Sequence, residues 1–150
     1  MGLFALEGEE SYGYCKNSDL TRMDCAEVAR VYARFLKEEK GCDLVIAISH
    51  CGMEEDRATA RAQEGFLDVI QNAHDHLAYD QPIVENGVIM TSTGCYAQNM
   101  GVLSLQKTSV GWTWVPEETC CYELTKAYDY EDPRDLSPEA LAYRSMQDLL

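Results

Sequence analysis

Three histidines make up the whole imidazole content of this 150-residue chain, and each follows an apolar run. His50 closes the run Leu44-Val45-Ile46-Ala47-Ile48-Ser49-His50. His74 and His76 follow Asp68-Val69-Ile70-Gln71-Asn72-Ala73. Neutral imidazole is a good ligand for zinc, manganese or iron, and a loop after a rigid strand holds it in place. His74 and His76 are two apart, so on extended backbone they share a side and reach one metal, or each of two neighbouring metals. Asp75 between them then points away, suited to orienting a ligand from outside the metal's own shell. Other chemistries fare worse. Ser49 and Cys51 flank His50, but adjacent residues on a strand point apart, and no G-x-S-x-G elbow is present. There is no G-x-G-x-x-G and no P-loop.

The elements that must position these residues read as alternating strands and helices. Gly2 to Glu7 suits a short strand, and 13–21 is polar and turn-rich. Asp24 caps a helix in which Val28, Val31, Tyr32, Phe35 and Leu36 recur at helical spacing, and Gly41 stops it. Asp43 to Ile48 is a nearly continuous apolar run, the pattern of a strand buried on both faces. A helix from about Met53 to Gln63 carries Glu54, Glu55 and Asp56 in its first turn, where carboxylates suit the dipole. Phe66 to Ile70 is the next strand. In such α/β sheets ligands gather at the carboxyl ends of strands, where all three histidines fall.

Beyond His76 the grammar changes to hairpins. Pro82–Glu85 and Val88–Thr93 flank Asn86-Gly87, a strong two-residue turn signal. Gly101 to Gln106 alternates as one strand, and Trp112–Val115 and Cys120–Leu124 read as a hairpin around 116–119. A linker with Asp132-Pro133 leads to a helix starting at Ser137-Pro138-Glu139. The expected division is 1–107 as the histidine-bearing domain and 108–150 as an extension packed on it.

Composition narrows the partners. The net charge of −14 argues against a nucleic-acid backbone or an anionic membrane, both of which need clustered Lys and Arg. It disfavours a polyanionic substrate unless a cation neutralises the site locally. Glu7, Glu9 and Glu10 read as part of a solvated acidic rim. The aromatics Trp112, Trp114, Tyr122, Tyr128 and Tyr130 read as cover for a sheet. The seven cysteines form no C-x-x-C pair, so they read as small buried hydrophobes in a reducing, cytoplasmic setting.

The residues around the histidines resemble a known family. Asp43-Leu-Val-Ile-Ala-Ile-Ser-His50-Cys-Gly52 is similar to the "D-x-V-I-x-L-S-H-x-G" segment of calcineurin-like metallophosphoesterases. Asp68-Val-Ile-Gln-Asn-Ala-His74-Asp75-His76 is similar to that superfamily's "D-x-I-x-x-G-H-x-H" segment. The run from Pro82 to Leu105, with Gly94 and Gly101, resembles the 5′-nucleotidase branch, and Gly2–Glu7 resembles the strand opening the second half of its catalytic domain. The resemblance covers roughly 1–107.

That resemblance implies an α/β sandwich with a mixed sheet, flanking helices and a dinuclear centre of divalent ions (manganese, zinc, iron or magnesium) that hydrolyses phosphate esters such as nucleotides. Carried over, His50 and His74 would share one metal and His76 would serve its neighbour. The family's "D-x-H", "G-D-x-x-D" and "G-N-H-[DE]" blocks are absent here, and Ala73 stands where glycine usually precedes the first histidine. The chain therefore reads as the C-terminal portion of such a catalytic domain, inactive alone and completed by an N-terminal half or a second copy. The alternative is a non-catalytic module that binds metal weakly or serves as an interaction protein.

Overall fold

Four parallel strands carry the architecture of the computed structural model, which describes residues 1–15, 19–124 and Leu141. These are β1 (Gly2–Glu7), β2 (Val45–His50), β3 (Val69–Gln71) and β5 (Val88–Thr91), and β4 (Ile83–Glu85) returns antiparallel to β5. The sheet order is β1–β2–β3–β5–β4. Three helices join the strands: α1 (Glu9–Gly13), α2 (Cys25–Glu38) and α3 (Met53–Arg61). The fold is mixed α/β, as the strand–helix alternation implies. The short helix α1 was not foreseen, although Glu9 and Glu10 directly after Gly8 are a first-turn signal.

Helix α2 starts where Asp24 accepts the Glu27 N–H at 2.9 Å. The face it buries differs from expectation. Cys25, Ala29 and Ala33 lie against the sheet, while Val31, Tyr32 and Phe35 are exposed. Two alanines let the helix approach the strands closely, and that turns the bulkier stripe outward; only Val28 and Leu36 of it pack on the core.

Strand β2 is covered on one face rather than two. Val45, Ala47 and Ser49 are buried, whereas Ile48 is 53% exposed, and on the same face Leu3 of β1, paired with Ile46, is 52% exposed. The same face of β3 and β5 is covered, with Val69 and Ile89 buried. The apolar run expected to be buried throughout thus has an open patch at its β1 side.

Asn86-Gly87 makes the expected tight turn between β4 and β5, with φ of 49° and 80°. Asn86 Nδ2 also donates to the Ala60 and Gln63 carbonyls at 3.1 and 3.0 Å, closing the end of α3. The later strands pair otherwise than expected. The stretch read as one strand splits into β6 (Asn99–Val102) and β7 (Leu105–Thr108). β7 pairs with β8 (Gly111–Trp114), and β6 pairs with β9 (Cys120–Glu123), so β8 and β9 do not form a hairpin with each other. The break is held at Ser104, whose carbonyl accepts the Val115 N–H at 2.9 Å. The expected 107/108 boundary falls inside β7, one strand of the β7–β8 hairpin. The helix expected from Ser137 and the linker at Asp132-Pro133 lie outside the described residues, as do Tyr128 and Tyr130. No helix is long and apolar enough to cross a membrane among the described residues.

Candidate metal centre

Parallel β2 and β3 end side by side, so the loops after them meet. The His50 and His74 rings lie edge to face with centroids 5.2 Å apart. His76 packs its ring edge to face on Tyr96, also at 5.2 Å. Among the described residues, the donor atoms of the three histidines do not form a set lying within 4.8 Å of one another. The loop explains why. It is not extended: His74 has φ of 94° and His76 of 57°, left-handed conformations that side-chain-bearing residues adopt at a cost. Ala73 has no such φ, so its methyl is accommodated, and the left-handed turns fall on the histidines themselves.

A buried polar network sits beneath the pair. Ser49 Oγ donates to Asp56 Oδ1 at 2.6 Å, and Asn72 Nδ2 donates to Asp56 Oδ2 at 2.5 Å. Cys51 N–H donates to Ser49 Oγ at 3.2 Å. These residues precede His50, belong to α3 and precede His74, so one carboxylate ties together the three elements that hold the imidazoles. Burial pushes the Asp56 carboxyl up to about 6, against the two hydrogen bonds that favour its charged form. Asn72 Oδ1 is buried without a hydrogen-bond partner.

The two histidine loops are also joined directly. Gly52 N–H donates to the Ala73 carbonyl at 3.2 Å. Asp75, expected as an orienting carboxylate, accepts the Met53 N–H at 2.5 Å, at the amino end of α3. Gly52 has φ of 82°, and a Cβ there would lie 2.9 Å from Asp75 Oδ1, so glycine is required on both counts. From the other side α1 contributes Ser11, whose hydroxyl donates to the His50 carbonyl at 2.6 Å. It also places Glu10 Oε2 3.5 Å from His74 Nε2.

A cleft of about 450 Å³ opens here, lined by His74, Glu9, Glu10, Glu54, Glu55 and Asp75, with Cys51, Gly52 and Met53 as its floor. Glu9 and Glu10 are therefore part of the site's wall and not only a solvated rim. Sequence reasoning passed over Glu10, Asp56, Asn72 and Ser49. One signal was available: Ser49 is the polar member of the inward series Val45, Ala47, Ser49. The chemistry of the set is imidazole nitrogen with carboxylate oxygen, which suits a divalent ion of intermediate hardness.

No family model matches the chain. It is 34% identical over 74 residues to the uncharacterized metallophosphoesterase YunD of Bacillus subtilis, covering 49% of this chain and 16% of that protein. It is 26% identical over 76 residues to an apyrase of Aedes albopictus, covering 51% and 13%. An apyrase of Aedes aegypti matches at 28% over 76 residues. The chain thus spans 13% to 16% of the length of these curated relatives. Among solved structures, a candidate 5′-nucleotidase of Staphylococcus aureus, in complex with alpha-ketoglutarate, superposes with a TM-score of 0.64 at 11% identity. That likeness in fold covers 97% of this chain and 31% of the other. Over about half its length the chain is thus similar in sequence to a metallophosphoesterase and two apyrases, and it shares the fold of a candidate 5′-nucleotidase.

Proposed function

We propose that this chain carries the histidine-bearing portion of a metal-dependent phosphoesterase centre that hydrolyses phosphate esters such as nucleotides and is incomplete as a single chain. The observation that supports it most is the pairing of the His50 and His74 rings at adjacent strand ends, with His74 lining a cleft walled by carboxylates. His50 and His74 would hold one divalent ion, with Glu10 the nearest carboxylate, and His76 would serve a second ion. Such an ion supplies positive charge for phosphate oxygens and a more acidic bound water. The chain's own residues do the holding. The Ser49–Asp56–Asn72 network fixes the strand ends, and Asp75 fixes the loop through the Met53 N–H. A cleft lined by Glu9, Glu10, Glu54 and Glu55 repels a phosphate ester until a cation is bound.

Incompleteness fits two further observations. The relatives are far longer, and the open patch at Leu3 and Ile48 is a surface that the remainder of such a domain would cover. The piece expected to cover it is an N-terminal half carrying the absent ligand blocks. Calorimetric titration with manganese and zinc tests the reading. His50→Ala and His74→Ala are each expected to lower affinity at least tenfold, about 1.4 kcal/mol. The isolated chain is expected to show little turnover on a nucleotide. Unchanged affinity in both variants would end the proposal. The alternative, a non-catalytic module, draws support from His76 packing on Tyr96 instead of joining the other two rings. Under it, no turnover appears even when a half carrying the missing blocks is supplied in trans.

A further inference from the structure

Outside the histidine cluster, the described residues hold one other group of convergent ligating atoms: Cys25, Cys51 and Glu55, whose donor atoms lie within 4.8 Å of one another. The two sulfurs are 3.5 Å apart, and both cysteines are buried, unlike the other five. A three-donor metal site is one reading of this group, but Glu55 is already engaged. Its Oε1 is ion-paired with Arg22, and its Oε2 accepts the Glu9 N–H at 3.0 Å. Two thiols without a free third donor are a poor site for a divalent ion.

We propose instead that Cys25 and Cys51 are an oxidisable dithiol that closes to a disulfide when a low-molecular-weight disulfide is supplied. This inference is independent of the phosphoesterase reading. Closing the pair to a disulfide length of about 2.05 Å moves the sulfurs together by roughly 1.5 Å. Both residues sit where the backbone can yield. Cys25 is the first residue of α2, and Cys51 lies between the end of β2 and Gly52. The Cys25 thiol donates to the Glu7 carbonyl at 3.2 Å, which holds its sulfur beside that of Cys51. Access exists from two sides. Cys25 lines an apolar cleft of about 420 Å³ with Leu6, Tyr12, Leu20 and Met23, while Cys51 lines the acidic cleft.

Cys25 is assigned as the attacking sulfur because it lines the apolar cleft and Arg22 Nη2 lies 4.0 Å from it, placing a positive charge beside a thiol that burial pushes up. The Cys25 thiolate attacks one sulfur of the small disulfide, forming a mixed disulfide and releasing one small thiolate, which takes up a proton. The Cys51 thiolate then attacks Cys25 Sγ and expels the second small thiolate. Two protein thiols are oxidised, and one small disulfide is reduced to two thiols. The bond ties the start of α2 to the residue beside His50.

The test treats the folded chain with oxidised glutathione, then quenches with acid and maps peptides without reduction. Expected is a mass loss of two hydrogen atoms, with the Cys25–Cys51 crosslink in at least tenfold excess over any other pair, and reversal by dithiothreitol. A Cys51→Ser variant is expected to stop at a glutathione adduct on Cys25, and Cys51→Ala repeats the measurement if serine disturbs folding. The wild-type map needs no variant at all. Crosslinks confined to other cysteines, glutathione adducts without closure in the wild type, or thiols protected by one bound zinc would each overturn the proposal.

Discussion

Strands β2 and β3 each begin beside an aspartate and end beside a histidine, and the two ends are built differently. At the base, Asp68 Oδ2 accepts the Val45 N–H at 2.7 Å and pairs with Lys37 Nζ at 2.6 Å. Asp43 pairs with Lys107 at 2.5 Å, and its carbonyl accepts the Trp112 indole N–H at 2.9 Å, docking the β7–β8 hairpin. At the rim, Glu9, Glu10, Glu54 and Asp75 gather round His74, and no lysine or arginine lines the cleft among the described residues. Carboxylates at the base are matched by cations and backbone donors, which makes that end a clamp. At the rim only Glu55 is tied to a fixed cation, Arg22, and His74 stands on strained backbone, which leaves that end ready for a mobile cation. The same pair of strands thus separates stability from chemistry along its length.

The sharpest way to break this separation is Asp68→Ala. It removes the acceptor of the buried Val45 N–H and the carboxylate paired with Lys37, for an expected loss of about 3 kcal/mol in stability, read from the urea midpoint. Manganese affinity of the folded protein should not move; if it falls in step, base and rim are one unit. Next comes the carboxylate beneath the rim. Asp56 in the folded chain keeps its proton to about pH 6, whereas its ordinary value is 3.8. The native state therefore binds the extra proton between those values, and its stability falls as pH rises from about 4 to 6. Asp56→Asn should flatten that slope, a difference of about 3 kcal/mol across the window. Asn72 can accept the substitution by turning its unpartnered Oδ1 toward the new amide. Urea midpoints that fall identically in both proteins would locate the pH response elsewhere.

Gly52→Ala forces a methyl into a left-handed position and against Asp75, for an expected cost of about 1–2 kcal/mol. Because it displaces the carboxylate that anchors the histidine loop, metal affinity should fall as well, in contrast to Asp68→Ala. The smallest effect is expected from Lys107→Ala. Its partner Asp43 is exposed, although the hydrogen bond from Lys107 holds that carboxyl below its usual value, and solvent screens such a pair, so the urea midpoint should barely move.

Local signals were readable from sequence, and non-local pairings were not. The Asp24 cap and the Asn86-Gly87 turn depend on a few adjacent residues and appear where their chemistry puts them. The histidines fall at strand ends because a buried parallel strand announces itself as an apolar run. The pairing of β6 with β9 joins segments roughly twenty residues apart across the β7–β8 hairpin, which alternation alone does not specify. The buried side of α2 was misjudged because two alanines pack more closely on a sheet than the larger stripe beside them. The Ser49–Asp56–Asn72 network escaped notice because its members come from three separate elements. Each looks ordinary alone. The cysteines were expected to be uniformly buried, yet Cys15 is exposed and only Cys25 and Cys51 are buried.

His74 and His76 occupy backbone geometry that glycine would hold at lower cost. Swapping either for glycine should therefore relax the fold while erasing a nitrogen donor. A library screened for thermal resistance would drift toward glycine at 74 and 76, and a library screened for ion retention would drift back. Sequencing both pools would weigh folding against ligation at single-residue resolution.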